Sequence, residues 1–474
     1  MKATLYLADW LLIGSYFGIL IWLSWYKGWL KEDEEHFLLS GRKVTLPAFV
    51  ATLVSTWYGG ILGVGEYSYQ FGISQWLILG MPFYVFSALF AIFLAGKIRL
   101  NKALSIPEAV ALRYGDNAGR LSALPIFVLV SPAPYILMLG LLFQFISGGD
   151  GHYLLYAVGV ALFAVLYVTV GGFGAVIRTD IFQVLLMFGG FILLIFYAVS
   201  HFGGFGELWS TVPDTHRDPT GGHNWQYILV WFFIALWTFV DPSFHQRAAA
   251  AESPKTARKG IFISILFWAA FDFLTAFSGL YGWAILGPDI AEPILVYPMM
   301  ADSLLPIGLK GLFFVTLLAT IMSTLDSYLF LSGQTLGRDF LSHFFPKIQR
   351  NGLTRISILI AAILGIILIV FYPSVIDLWY VLGSVFIPGL LIPILGIYLP
   401  VFRLKRRFVF ATLTGATGMS LFWLFMGTLY HTGEPGYAFL NIEPFYPGLI
   451  LSGIFWLIGR DKSDSDGFEN MSEI

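Results

Sequence analysis

"STWYGGILGVGEY", residues 55–67, lies within an apolar run long enough to cross a bilayer and carries glycines at 59, 60, 63 and 65. Glycine is common in membrane helices because it lets a neighbouring helix come close. Four in seven residues, beside Trp57, Tyr58 and Glu66, is denser than packing needs, and the stretch reads as a helix that unwinds over 57–65. A second apolar segment is interrupted at "LWTFVDPSFHQR", residues 236–247. There Pro242 removes a backbone hydrogen bond, and Asp241 sets a carboxylate just before it. Backbone groups freed at mid-membrane depth are tolerated only where they line a cavity or meet a ligand. Freed carbonyls suit a cation; helix N-termini suit an anionic group.

The rest of the chain fits this frame. Its 474 residues are 57% hydrophobic and 12% charged, too few charges to clothe a soluble surface. The sequence predicts an all-α polytopic membrane protein with about 13 transmembrane helices, most reaching the ~20 residues a bilayer requires. They fall at 4–26, 46–70, 76–98, 121–147, 152–171, 180–201, 224–248, 260–286, 309–333, 355–371, 375–399, 408–430 and 444–459. The two interrupted segments are the second and the seventh. Each opens a set of five, so residues 46–201 and 202–399 (the latter with an outer loop) are expected to form a 5+5 inverted-repeat core. Residues 1–45 supply a first helix and loop, 400–460 two peripheral helices, and 461–474 an acidic tail expected to be disordered.

Charge sets the orientation. All but three of the 27 Lys and Arg residues fall on one set of alternate loops; Lys2, Arg217 and Lys310 fall on the other. The basic side is expected to be cytoplasmic, with the N-terminus outside and the C-terminus inside a plasma or inner membrane. The first apolar run lacks a basic leader and a cleavage site, so it is expected to stay as a helix. With no cysteine, disulfides and thiolate metal sites are excluded. Basic residues lie beside acids ("KEDEEHF"), which gives nucleic-acid binding no support. Lipid is the expected surrounding, and no protein partner is indicated.

A stripe of hydroxyls recurs in "LLATIMSTLDSYLF", residues 317–330. Thr320, Ser323, Thr324 and Ser327 lie at i, i+3, i+4 and i+7, on one face of a helix. Small hydroxyl residues often serve helix packing. The alternative is that they face the carbonyls of the broken second segment and form a weak oxygen cage for a monovalent cation; a divalent ion would call for carboxylates. Asp326 lies off the stripe and reads as a structural acid. Glu66, Asp241 and Asp272 are intramembrane acids. Glu66 either meets a cationic part of a solute or sits in a watery vestibule, Asp241 either binds or caps the break, and Asp272 reads as structural. The loop "PDTHRDPTGGH", 213–223, offers Asp214, His216, Asp218 and His223; a solvated loop is the simpler expectation than a metal site. Most aromatics should face lipid, with Trp57, Tyr58 and Trp237 candidates for stacking on a solute.

Four stretches carry a family resemblance: "HFLLSGRKVTLPAFVATLVSTWYGG" (36–60), "LSIPEAVALRYG" (104–115), "GGFGAVIRTDIFQ" (171–183) and "ATIMSTLDSYL" (319–329). In this order they resemble the sodium/solute symporter family, which carries sugars, proline, pantothenate, choline and other small solutes. The resemblance implies a leucine-transporter-like fold with ten core helices and a sodium ion, Na+, as the co-transported partner. It implies sodium ligands at the carbonyls of Ala51, Val54 and Thr320 and the hydroxyls of Ser323 and Thr324, with Thr320 where many members have Ala. It matches Asp180 to an acid associated with ion release, and Trp237 to an aromatic gate beneath the substrate.

The expected function is sodium-coupled symport of a small polar solute by alternating access, without covalent chemistry. Solute would bind around Trp57, Tyr58, Gly59, Gly60, Glu66, Trp237 and Asp241. Proton coupling on the same fold is the rival, but the stripe offers no titratable group. A membrane enzyme would gather acids, His or Lys at one interface, and a solute sensor would carry a signalling domain.

Overall fold

The computed structural model describes residues 2–25, 33–148, 151–430 and 437–461. Eleven helical segments are long and apolar enough to span a membrane: α1 Leu7–Trp25, α2 Leu46–Phe71, α3 Trp76–Leu100, α4 Asp116–Ser147, α5 Tyr153–Phe202, α6 Trp225–Ala250, α7 Pro254–Leu286, α8 Leu309–His343, α9 Arg350–Phe371, α10 Val375–Tyr398 and α11 Arg406–Tyr430. A shorter apolar helix, α12 Phe445–Gly459, follows. The expected acidic tail lies almost wholly outside the described residues. Helix α8 is the most enclosed of the spans, which puts the hydroxyl stripe at the centre of the molecule. Apolar side chains such as Leu166 on α5 and Phe371 on α9 stand exposed, as a lipid-facing surface requires.

Breaks occur in four helices, and sequence reading had placed only two of them. In α2 the unwinding is narrower than expected. A single 3-10 turn, Tyr58–Gly60, separates Leu46–Trp57 from a regular helix at Ile61–Phe71. Gly63 and Gly65 instead permit close packing, since a Cβ at Gly65 would lie 2.6 Å from the Tyr297 ring. In α6 the turn Trp237–Val240 ends at Asp241, whose extended backbone (φ −73°, ψ 115°) leads into Pro242–Ala250. Helix α4 breaks at 130–132, where the sequence had suggested one continuous span from 121. The signal was present: Pro132 and Pro134 cannot continue the preceding ladder. The freed carbonyl of Val130 accepts the Ser332 hydroxyl at 2.6 Å.

The fifth and sixth predicted segments, expected to be joined by a loop at 172–179, are the two limbs of α5. Only Gly172 departs from helical geometry (φ 60°, ψ −170°). No side-chain-bearing residue adopts that conformation easily, and a Cβ there would lie 2.7 Å from the Phe37 ring and 3.0 Å from its carbonyl oxygen. The rest of 172–179 stays helical because its apolar residues, Phe173, Val176 and Ile177, are buried.

The connections divide between two faces. On one, Thr4 N–H and Lys310 Nζ both donate to Asp302, at 2.8 and 2.7 Å. The loop after α5 is solvated at Asp214 but also packs here: His216 is buried and donates from Nε2 to the Tyr69 carbonyl at 2.8 Å, while His223 pairs with Tyr67 OH. Among the described residues no three acids or histidines gather as a metal site. The opposite face carries most of the Lys and Arg residues. There Arg338 bonds Glu34 (2.6 Å), Asp339 (2.6 Å) and Glu108 (3.0 Å), and Arg42 bonds Glu35 and the carbonyls of Asn101, Lys102 and Ala103. Arg338 had been counted as a loop charge; its acidic partners let it sit inside the end of α8 instead.

Two outcomes follow. Gly172→Ala should lower the melting temperature in detergent, with about 1–3 kcal/mol of strain. Burial lowers the pKa of His216 and His223 below that of a free imidazole, so their neutral forms support the folded loop at neutral pH. That stability is lost as pH falls through and below the ordinary value of about 6.5. The melting temperature should fall from pH 7 to pH 5, less steeply in a His216→Gln, His223→Gln variant.

Candidate functional site

The breaks in α2, α4 and α6 converge on a cavity of about 110 Å³ in the middle of the helical assembly. A water needs roughly 10–15 Å³ of such space, so the cavity can hold a small solute. Of the residues expected to bind solute, Trp57, Tyr58, Gly60, Trp237 and Asp241 line it. Two do not. Gly59 packs against α8, where a Cβ would lie 2.1 Å from Thr324 Oγ1. Glu66 is partly buried further along α2, beyond the cavity wall.

Local chemistry fixes the cavity wall. Asp241 caps the second limb of α6 by accepting the Ser243 amide at 2.8 Å and also receives the Tyr328 hydroxyl at 3.3 Å. A carboxylate is favoured there because the amides of a helix N-terminus point at it. Tyr58 donates its hydroxyl to the Trp268 carbonyl at 2.6 Å, anchoring the turn in α2 to α7. Trp57 lies edge-on to Phe83, with centroids 4.6 Å apart. Asp272, expected to be structural, also lines the cavity, bonded to Tyr84 OH and 3.5 Å from Gln75 Nε2.

Beside this cavity the hydroxyl stripe of α8 meets α2 and α5. Thr324 donates to the Thr56 carbonyl at 2.7 Å, and Ser323 donates to Asp180 at 2.7 Å. Thr320 turns its hydroxyl to the Thr316 carbonyl, 2.7 Å away on its own helix. Ala51 and Val54 stand on the limb of α2 that meets the stripe. Because Ser323 and Thr324 spend their hydrogens on other oxygens, their lone pairs remain free to accept a cation. Asp326 lies off this face and receives the Tyr167 hydroxyl.

Asp180 is far from a loop position. It is fully buried, bonds Thr52 and Ser323, and faces Arg247 at 3.5 Å. Arg247 was counted among the loop charges, yet its side chain is wholly buried. Its guanidinium also donates to Thr56 Oγ1 (2.5 Å), Ser327 Oγ (2.9 Å), the Thr52 carbonyl (3.3 Å) and the Ser243 carbonyl (3.4 Å). Sequence reading missed this residue because it sits at the end of an apolar run, where a charge normally marks the membrane boundary. The signal was Pro242, five residues earlier: a helix restarting there runs through the protein interior.

A sequence profile described as the sodium:solute symporter family matches residues 37–402. The chain belongs to that family. The symporter is 24% identical over 479 residues to the osmoregulated proline transporter OpuE of Bacillus subtilis, covering 94% of this chain and 93% of that one. It is 25% identical to the sodium/proline symporter of Staphylococcus aureus, over 70% and 68% of the two chains. Its fold matches that of a Na+-coupled sialic acid symporter, with TM-score 0.74 and 17% identity over 96% and 97% of the chains. Mhp1, a nucleobase-cation-symport-1 family transporter, matches with TM-score 0.61 and 14% identity over 90% and 94%. The symporter is thus a multi-pass membrane protein with a leucine-transporter-like fold, of a family that couples a solute to sodium.

Arg247→Met should cost about 3–5 kcal/mol of stability, the usual penalty for stranding a buried charge. Adding Asp180→Asn should recover part of that loss; the melting temperatures of the single and double variants measure it.

Proposed function

We propose that this symporter takes up a small polar solute with sodium by alternating access. Sodium binds between α2 and α8, to the carbonyls of Ala51, Val54 and Thr320 and the hydroxyls of Ser323 and Thr324. The observation that carries this reading is the orientation of the two hydroxyls. Each is already hydrogen-bonded as a donor, so each offers oxygen lone pairs alone. Neutral oxygens hold a monovalent ion loosely enough to release it, and Asp180, bonded to Ser323, is the acid that assists its departure.

Bound sodium bridges the broken helix to α8 and so holds the turn at Tyr58–Gly60 in its solute-ready form. Solute occupies the adjoining cavity, with Trp57, Tyr58, Gly60, Trp237 and Asp241 on its wall. The repeats at 46–201 and 202–399 then rock to open the Lys/Arg-rich face, which is cytoplasmic on this reading, after the Arg338 ion pairs part. The N-terminus is outside. One charge crossing 100 mV supplies about 2.3 kcal/mol, and a tenfold sodium gradient about 1.4 kcal/mol. Together they support accumulation of a neutral solute by about a few hundred-fold.

Purified symporter in proteoliposomes should accumulate solute under an inward sodium gradient and not under potassium. A Ser323→Ala, Thr324→Ala variant should lose at least tenfold of that uptake, as expected when roughly 1.4 kcal/mol of ion binding is removed. Uptake driven by a pH gradient and indifferent to sodium would instead assign the coupling to an acid.

A further inference from the structure

A second, smaller cavity of about 20 Å³ lies between the central cavity and the Lys/Arg-rich face. Four helices run from one space to the other before they reach a basic loop. Phe83 lines the central cavity and Ile98 the smaller one on α3; the pairs are Ser243 and Gln246 on α6, Tyr328 and Leu331 on α8, and Leu382 and Tyr398 on α10. Asn101 and Leu104, at the rim of the smaller cavity, are partly exposed, so it borders the surface. Tyr328 and Leu331 are one helical turn apart, and Asp241 and Pro242 are neighbours in the chain. The two spaces therefore come nearest where α6 and α8 face each other. There the Tyr328 hydroxyl donates to Asp241 at 3.3 Å, and the Tyr328 ring packs edge-on to Tyr135 on α4, centroids 5.2 Å apart.

Beyond that neck the wall is more polar than packing needs. Every residue of Pro242–Ala250 is buried, Ser243, His245, Gln246 and Arg247 among them. Gln246 gives its side-chain N–H groups to the Leu38 carbonyl at 3.0 Å and to Gln334 Oε1 at 3.4 Å. Its own Oε1 has no hydrogen-bond partner among the described residues. A buried amide oxygen left unpaired is costly unless water or a passing molecule meets it. At about 20 Å³ the smaller cavity has room for about one water, so a solute passes only when α6 and α8 separate.

We propose that solute leaves the central cavity through the smaller one, and that the Tyr328–Asp241 hydrogen bond closes the neck between them. The bond holds while sodium and solute load and parts when the repeats rock, and Gln246 Oε1 then accepts a hydrogen bond from solute in transit. This rests on the alternating-access reading above. The chain has no cysteine, so a single introduced thiol reports alone. Leu79→Cys places one in the wall of the central cavity, and Leu104→Cys places one at the rim of the smaller cavity. The probe is MTSET, a membrane-impermeant thiol reagent. It is added to inverted membrane vesicles, whose cytoplasmic face is outward, and separately to right-side-out vesicles.

In inverted vesicles Leu104→Cys should react readily and Leu79→Cys slowly, more slowly in sodium than in potassium. Tyr328→Phe keeps the ring and removes the donor. It should speed the reaction of Leu79→Cys from that side roughly tenfold, the worth of one hydrogen bond to a carboxylate, and leave Leu104→Cys unchanged. Adding Ala249→Leu, which fills the smaller cavity, should abolish the gain in inverted vesicles. Labelling of the same protein in right-side-out vesicles should not change, which also shows that the variant is folded. A Leu79→Cys rate that Tyr328→Phe leaves unchanged overturns the neck, and a gain that survives Ala249→Leu overturns the route. Reaction of Leu104→Cys in right-side-out vesicles alone overturns both. None of these rates requires a known solute. If the neck fails while sodium still drives uptake in proteoliposomes, the symport reading stands alone. If the neck behaves as expected while neither labelling nor uptake responds to sodium, the passage stands and sodium coupling fails.

Discussion

Four membrane helices meet at one buried carboxylate. Asp180 on α5 bonds Thr52 on α2 and Ser323 on α8, and it faces Arg247 on α6, which reaches on to Thr56 and Ser327. Burying an ion pair is not a reliable source of stability, because desolvation offsets much of the attraction. Its value here is positional. Each partner is satisfied only when the broken helices α2 and α6 lie in register with α5 and α8. A shift of any one helix strands a charge in a low-dielectric interior.

The same arrangement explains why a break in α2 is tolerated. The carbonyl of Thr56, freed at the turn, takes the Thr324 hydroxyl from α8. Side chains from other helices thus satisfy the backbone where the ladder fails, as hydrocarbon depth demands. The hydroxyl stripe, the cavity and the breaks therefore adjoin one another, and on the proposed mechanism a change at the ion site moves the cavity wall directly.

Helical segments were legible because apolar length is a strong signal, and the breaks in α2 and α6 because Gly and Pro mark them. The hydroxyl stripe was legible as a stripe, since spacing fixes its face. Its partners were not: nothing in the local pattern ties Ser323 to Asp180, 143 positions earlier. Arg247 and Arg338 were read as loop charges because a charge at the end of an apolar run usually marks the interface. Only long-range packing supplies the acids that let them be buried. Glu66 stood beside the glycine run, open between a solute contact and a watery vestibule; the helix resumes at Ile61 and carries it past the cavity wall.

On the proposed mechanism, neutral oxygens hold sodium between α2 and α8. Equilibrium binding of 22Na+ to the purified symporter, without added solute, tests it most directly. Saturable binding is expected, displaced by unlabelled sodium but not by potassium, and lost when Ser323 and Thr324 are both alanine in a protein that still folds. Undiminished 22Na+ binding in that folded variant would contradict it.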